Sequence, residues 1–121
     1  YNTSNTPPQA CLFAGSKLLD KTGHRVSCAV LSGKTVALYF AGAWCPLCQR
    51  FTPALRKFYT RYNGSLQLVF VSSDGDRSAS ENHFRSAHGD WLALAFDDPL
   101  SESIKRRYGV WSGREIYKFG F

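Results

Sequence analysis

The sequence predicts an α/β domain in which helices cover both faces of a sheet. Three observations carry this. Thr35 to Ala41 and Leu66 to Val71 are almost continuously apolar, as strands buried on both faces are. A helical segment joins them, which predicts a parallel pair with a right-handed crossover. Two further helices, each with a capping signal, follow the second strand.

The elements follow in order. Residues 1–14 are polar with a Pro7-Pro8 step and read as an extended lead-in. Ser16 to Ser27 reads as a β-hairpin turning at Asp20-Lys-Thr-Gly23. A turn at Leu31-Ser-Gly33 then enters the first long strand. The helix beginning near Cys45 carries an apolar stripe of Leu47, Phe51, Ala54, Leu55, Phe58, Tyr59 and Tyr62, read here as its core face. Gln49, Arg50, Arg56, Lys57 and Arg61 form its polar face, Pro53 inside it predicts a kink, and Asn63-Gly64 ends it.

After the second strand, Ser78 and Glu81 suggest a capping box for a helix running to about His88, and Trp91 to Phe96 reads as extended. A third helix is framed by Asp98 as cap, Pro99 in the first position and Gly109 as its stop. Its last turn holds Lys105, Arg106 and Arg107, which complement the negative end of the helix dipole.

With 121 residues and 44% hydrophobic content, the chain is expected to be one domain, residues 1–121, with a substantial core. Its longest apolar run, Val36 to Trp44, is too short to span a bilayer, so no membrane association is expected. The net charge of +6 is dispersed and comes with no nucleic-acid motif. It would speed encounters with acidic partners or anionic thiols. The first residue is Tyr1, so a processed or partial form is expected and a targeting peptide would be invisible.

The chemistry concentrates at Cys45 and Cys48, separated by two residues where the helix should start. That spacing brings the side chains to one face within disulfide reach. Unpaired N–H groups and the dipole at a helix N-terminus favour a thiolate, and such cysteines fall from a pKa of ~8.5 to between ~3.5 and 7.5. Cys45 is therefore read as the nucleophile and Cys48 as the resolving thiol, with Pro46 suited to the first turn. The alternatives are half of a zinc site and a purely structural bridge. Zinc needs a second ligand pair, and Cys11, Cys28, His24, His83 and His88 are too scattered to make one, so no metal or other cofactor is expected. A bridge closing so small a loop would restrict the unfolded chain little. Cys11 and Cys28 could bridge each other but are read as ordinary thiols of a reducing compartment, with the cytoplasm as default and mitochondria as the variant. The three histidines are read as surface or capping residues.

Trp44-Cys-Pro-Leu-Cys48 with Phe51-Thr-Pro53 resembles a thioredoxin-fold active site. Leu31-Ser-Gly-Lys34, Tyr39 to Cys45, Val69 to Asp74 and Trp91 to Phe96 resemble the tryparedoxin and nucleoredoxin branch, over about Gly15 to Val110. The resemblance implies a thioredoxin-like fold: a central mixed sheet flanked by helices, with an N-terminal β-hairpin. It implies that Trp44 flanks the dithiol and that Trp44, Pro46 and Leu47 face the substrate. Tyr39 stands where thioredoxins carry a buried acid, and Pro53 supports the helix. It also implies reduction of protein disulfides, such as those of peroxiredoxins, with a dithiol of the trypanothione or glutathione class, or a reductase, restoring the pair. A redox-sensing, nucleoredoxin-like binding module is the alternative. Leu47 replaces a proline common in that branch, and no proline follows Pro99. The family's cis-proline strand and closing hairpin are thus missing or truncated, with a segment expected to be absent between Val110 and Trp111.

Overall fold

The computed structural model describes Phe13 and residues 15–109. The lead-in before Phe13 and the Val110–Trp111 junction lie outside the described residues. Five strands form one mixed sheet in the order β2-β1-β5-β4-β3. They are β1 (Leu18–Leu19), β2 (Arg25–Val26), β3 (Thr35–Ala41), β4 (Leu66–Ser72) and β5 (Leu92–Leu94). The helices are α1 (Pro46–Tyr62), α2 (Arg77–Ala87) and α3 (Pro99–Arg107), and a 3-10 turn at Cys28–Leu31 precedes β3.

The expected hairpin forms, with Leu18 opposite Val26. Its turn closes through Asp20, whose carboxylate accepts from the amides of Thr22 and His24. Gly23 takes the left-handed conformation at φ 90°, which its missing Cβ permits. β1 pairs antiparallel with β5, while β3 and β4 run parallel with Thr35 opposite Leu66 and Ala41 opposite Ser72. This is the mixed sheet the resemblance implied.

Alternation along the strands splits the core in two. Val69 and Val71 join Phe13, Leu18, Leu94 and Ile104 on one face. Leu68 and Phe70 join Tyr39, Tyr59, Phe84 and Trp91 on the other, under α1 and α2. β3 pairs only with β4, so among the described residues it is an edge strand.

Several expectations need correction. Most of the α1 stripe is not core, five of its seven residues being exposed. Tyr59 is buried, but Leu47, Phe51, Phe58 and Tyr62 are 44 to 63% exposed. The outer side of the helix projects past the β3 edge, where no described strand supports it. The cap of α2 is Asp76, which accepts from the Ala79 amide, and not Ser78. Cys28 is disulfide-bonded, against the reading of an ordinary thiol. Cys28 packs against the same core cluster as Phe13, a proximity that sequence separation cannot reveal.

His83 and His88 are core residues, 8% and 0% exposed, with rings 4.5 Å apart. They lie on and just after an amphipathic helix whose inner face also carries Phe84. Lys105 is likewise buried, bonding the Ser72 carbonyl at 2.9 Å and pairing with Glu102. It is thus an internal tie between α3 and the end of β4 and no part of a basic surface cluster.

Candidate functional site: a dithiol at the start of α1

Cys45 and Cys48 are both free thiols. Cys45 caps α1: its Sγ accepts the Cys48 amide at 3.2 Å and its carbonyl accepts the Gln49 amide at 3.0 Å. Pro46 follows at the first helical position, where no amide hydrogen is needed. Cys45 is 8% exposed and Cys48 is half-buried. Burial, with the hydrogen bond to Cys45 second, pushes the Cys48 thiol up to about 11. Among the described residues no group of three or more metal-ligating side chains gathers here or elsewhere.

The turn before the dithiol is held from β4. The Ala43 amide donates to Asp74 Oδ1 at 2.8 Å, and the Ser72 hydroxyl donates to Asp74 Oδ2 at 3.2 Å. Trp44 Nε1 donates to the Ser73 carbonyl at 3.0 Å, so the indole lies back over the turn. That placement requires Gly42, because a Cβ there would meet Trp44 Nε1 at 2.3 Å. On the helix side, the Gln49 amide group donates to the Ala43 carbonyl at 2.6 Å.

Beneath Cys48 lies a short chain of hydroxyls. The Thr52 hydroxyl donates to the Cys48 carbonyl at 2.7 Å, which commits its only hydrogen. Tyr39 must therefore donate its own to Thr52 Oγ1, also at 2.7 Å. Burial raises the Tyr39 phenol above its ordinary range, outweighing the opposing effect of its hydrogen bond with Thr52. The Tyr39 ring packs against Phe51, His88 and Trp91, so it joins the dithiol to the core.

Of the residues singled out in sequence, Tyr39, Trp44, Cys45, Pro46 and Cys48 gather at this corner. Leu47 is also there, 63% exposed between the cysteines. Pro53 lies one turn further along α1, which continues unbroken on both sides of it. Thr52, Ser72 and Asp74 were not foreseen. Asp74 had a faint signal, a carboxylate directly after a buried strand at the end where α/β sheets carry their sites. Thr52 had none beyond its place one turn after Cys48.

Comparison with known proteins agrees with this architecture. A family model described as thioredoxin-like matches residues 33–113, and the chain belongs to that family. It is 39% identical over 100 residues to tryparedoxin of Trypanosoma brucei brucei, covering 82% of this chain and 69% of that one. It is 36% identical over 96 residues to a probable nucleoredoxin 1 of Arabidopsis thaliana, covering 77% of this chain but only 16% of that longer protein. The crystal structure of thioredoxin from Wuchereria bancrofti superposes with a TM-score of 0.76 at 35% identity, covering 81% of this chain and 70% of that one.

Proposed function

We propose that the chain is a thiol-disulfide oxidoreductase that reduces protein disulfides through Cys45 and Cys48, as a tryparedoxin-like electron carrier to peroxidases. The observation that carries this is the asymmetry of the pair. Cys45 Sγ sits at the helix N-terminus accepting an amide hydrogen, while Cys48 holds its proton up to about 11. One thiol is placed to attack and the other to wait.

The Cys45 thiolate attacks one sulfur of a partner's disulfide. The partner's S–S bond breaks, and its second sulfur leaves as a thiolate that takes a proton from solvent. Cys48 then loses its proton and attacks Cys45 Sγ, expelling the partner's remaining thiolate. Two electrons have passed to the partner, and Cys45 and Cys48 are joined as a disulfide. A low-molecular-weight dithiol or a reductase returns it to the reduced state. Trp44, Pro46 and Leu47 border the attacking sulfur and face the incoming chain, while Tyr39 and Pro53 support the helix behind it. The cycle uses no cofactor beyond the disulfide itself and suits a reducing compartment such as the cytoplasm.

Steady-state reduction of insulin or a peroxiredoxin with a dithiol donor tests this. Catalytic turnover is expected, Cys45→Ser should abolish it, and Cys48→Ser should accumulate a mixed disulfide on Cys45. Full activity in Cys45→Ser would refute the mechanism. The nucleoredoxin relative favours a second reading, a redox-sensing module, which predicts stoichiometric reaction without turnover.

A further inference from the structure

Three successive peptides carry the chain from β3 to Cys45, and each is held by a different partner. The Gly42–Ala43 peptide donates its N–H to Asp74 Oδ1 at 2.8 Å. The Ala43–Trp44 peptide offers its carbonyl to the Gln49 side chain at 2.6 Å. The Trp44–Cys45 peptide closes the turn, its N–H donating to the Gly42 carbonyl at 3.1 Å. A carbonyl can only accept, so the nitrogen of the Gln49 amide group faces Ala43 and not its oxygen. The middle peptide of a four-residue turn is the one that flips, because rotating it exchanges type I for type II geometry while its neighbours stay in place. Type II needs a positive φ at the third residue, here Trp44, and no non-glycine among the described residues has one. Gln49 therefore latches the one carbonyl of this turn that is free to rotate.

Gln49 grips the motif twice. Its backbone amide donates to the Cys45 carbonyl at 3.0 Å, and its side chain reaches back past both cysteines to Ala43. Residues 43–49 are thus strapped end to end. Inside the strap Cys45 is the N-cap of α1, and its Sγ accepts the Cys48 amide at 3.2 Å. That bond and the positive end of the helix favour a thiolate only while the sulfur stays at the cap. Asp74 holds the turn from the sheet side, so Gln49 is the side chain that holds it from the helix side. The Gln49 side chain carries no charge, and its effect on the sulfur acts through position alone.

We propose that Gln49 is a positioning residue for the Cys45 nucleophile, its side-chain amide latching the Ala43 carbonyl so that Cys45 Sγ stays at the helix cap where its thiolate is favoured. The inference rests on the dithiol reading above and deepens it. With the latch gone, the Ala43–Trp44 peptide can rotate, the turn samples other shapes, and the sulfur spends less time within reach of the Cys48 amide. The thiolate population at neutral pH then falls, and attack on a disulfide slows by the same factor.

The test follows the rate at which Cys45 Sγ displaces iodide from iodoacetamide, in a Cys48→Ser background with the Cys28 disulfide intact. The backbone amide that caps the sulfur survives that change. Gln49 is exposed, so its variants should keep the fold. Gln49→Met preserves side-chain length and removes the donor. A net neutral hydrogen bond shifts a population about twofold to tenfold, and at this exposed site a loss of about threefold in rate at neutral pH is expected. Above about pH 10 the thiol is ionised in both proteins, and the two rates should converge. Gln49→Asn keeps the amide group but is one methylene too short, and should behave like Gln49→Met. In the chain with both cysteines, kcat/KM for insulin with dithiothreitol as donor should fall by the same factor. Equal alkylation of the parent and Gln49→Met at neutral pH overturns this proposal and leaves the dithiol reading standing. A deficit that persists above about pH 10 marks a blocked path to the sulfur instead of a lost thiolate, and also overturns it. Failure of the parent chain to reduce insulin overturns the dithiol reading and the role of Gln49 with it.

Discussion

Asp74→Ala isolates the bond that ties the dithiol turn to the sheet. Asp74 is 7% exposed, and its Oδ1 accepts the Ala43 amide at 2.8 Å, two residues before Cys45. Alanine leaves that part-buried amide without its acceptor. A bond to an ionised group contributes about 1.5–3 kcal/mol, and the Ser72 hydroxyl, bonded more weakly at 3.2 Å, can turn elsewhere. The expected loss is therefore about 2 kcal/mol. With a urea m-value of about 1–1.5 kcal/mol/M for a domain of this size, the midpoint should fall by about 1.5 M at unchanged m. Asp74→Asn keeps an oxygen facing Ala43 and loses only the charge, so its midpoint should fall about half as far. Urea unfolding followed by tryptophan fluorescence, with the Cys28 disulfide intact, measures both. A shift under about 0.3 M for Asp74→Ala, or equal shifts for the two variants, would refute the assignment of this bond as the turn's anchor.

Two further outcomes follow from the packing. Burial first, then the charges of His83, Lys21 and Arg56, lower His88 from 6.5 to about 3, and burial lowers His83 as well. The unfolded chain therefore binds protons that the folded one refuses. Stability contributed by the neutral rings is whole above about pH 6.5 and should fall by roughly 1 kcal/mol per pH unit for His88 as pH drops toward 3. Urea midpoints from pH 7 to 4 read this slope, and His88→Gln should flatten it. Gly42→Ala should displace the Trp44 indole from the Ser73 carbonyl, because the new Cβ would lie 2.3 Å from Trp44 Nε1. The expected cost is about 1–3 kcal/mol, with a red shift of the tryptophan emission, and an unchanged spectrum would contradict it.

The cap on α3 was legible because its signals are local. Asp98 accepts the Leu100 amide, Pro99 follows and Gly109 adopts φ 66° two residues past the end. The cap on α2 was legible only as a region, since Asp76 and Ser78 are both competent and backbone geometry chose Asp76. The polar atoms around the dithiol were less visible. The Tyr39–Thr52–Cys48 chain crosses from β3 to α1, and Asp74 crosses from the end of β4 to Ala43. No spacing rule encodes contacts between separate elements. The α1 stripe shows the opposite failure. Helical periodicity groups Leu47, Phe51, Phe58 and Tyr62 with Tyr59 but cannot say which side meets the sheet.

By itself, the sequence determined the parallel β3–β4 pair, the hairpin, the three helices and a dithiol at a helix start. Each of these depends on residues close along the chain: alternation, caps, turn glycines and a two-residue gap between cysteines. Only the tertiary structure decided that Lys105 and the two histidines turn inward, that Cys28 is bridged, and that the outer side of α1 is exposed beside β3, which among the described residues pairs only with β4. Those outcomes depend on which surfaces meet across the sheet. Burial, hydrogen-bond satisfaction and the shifts in proton affinity that follow from it are properties of that meeting, not of any local stretch. At the dithiol both levels converge. The local motif places two sulfurs on one helix turn, and the packed neighbours make one the acceptor of an amide hydrogen while the other retains its proton.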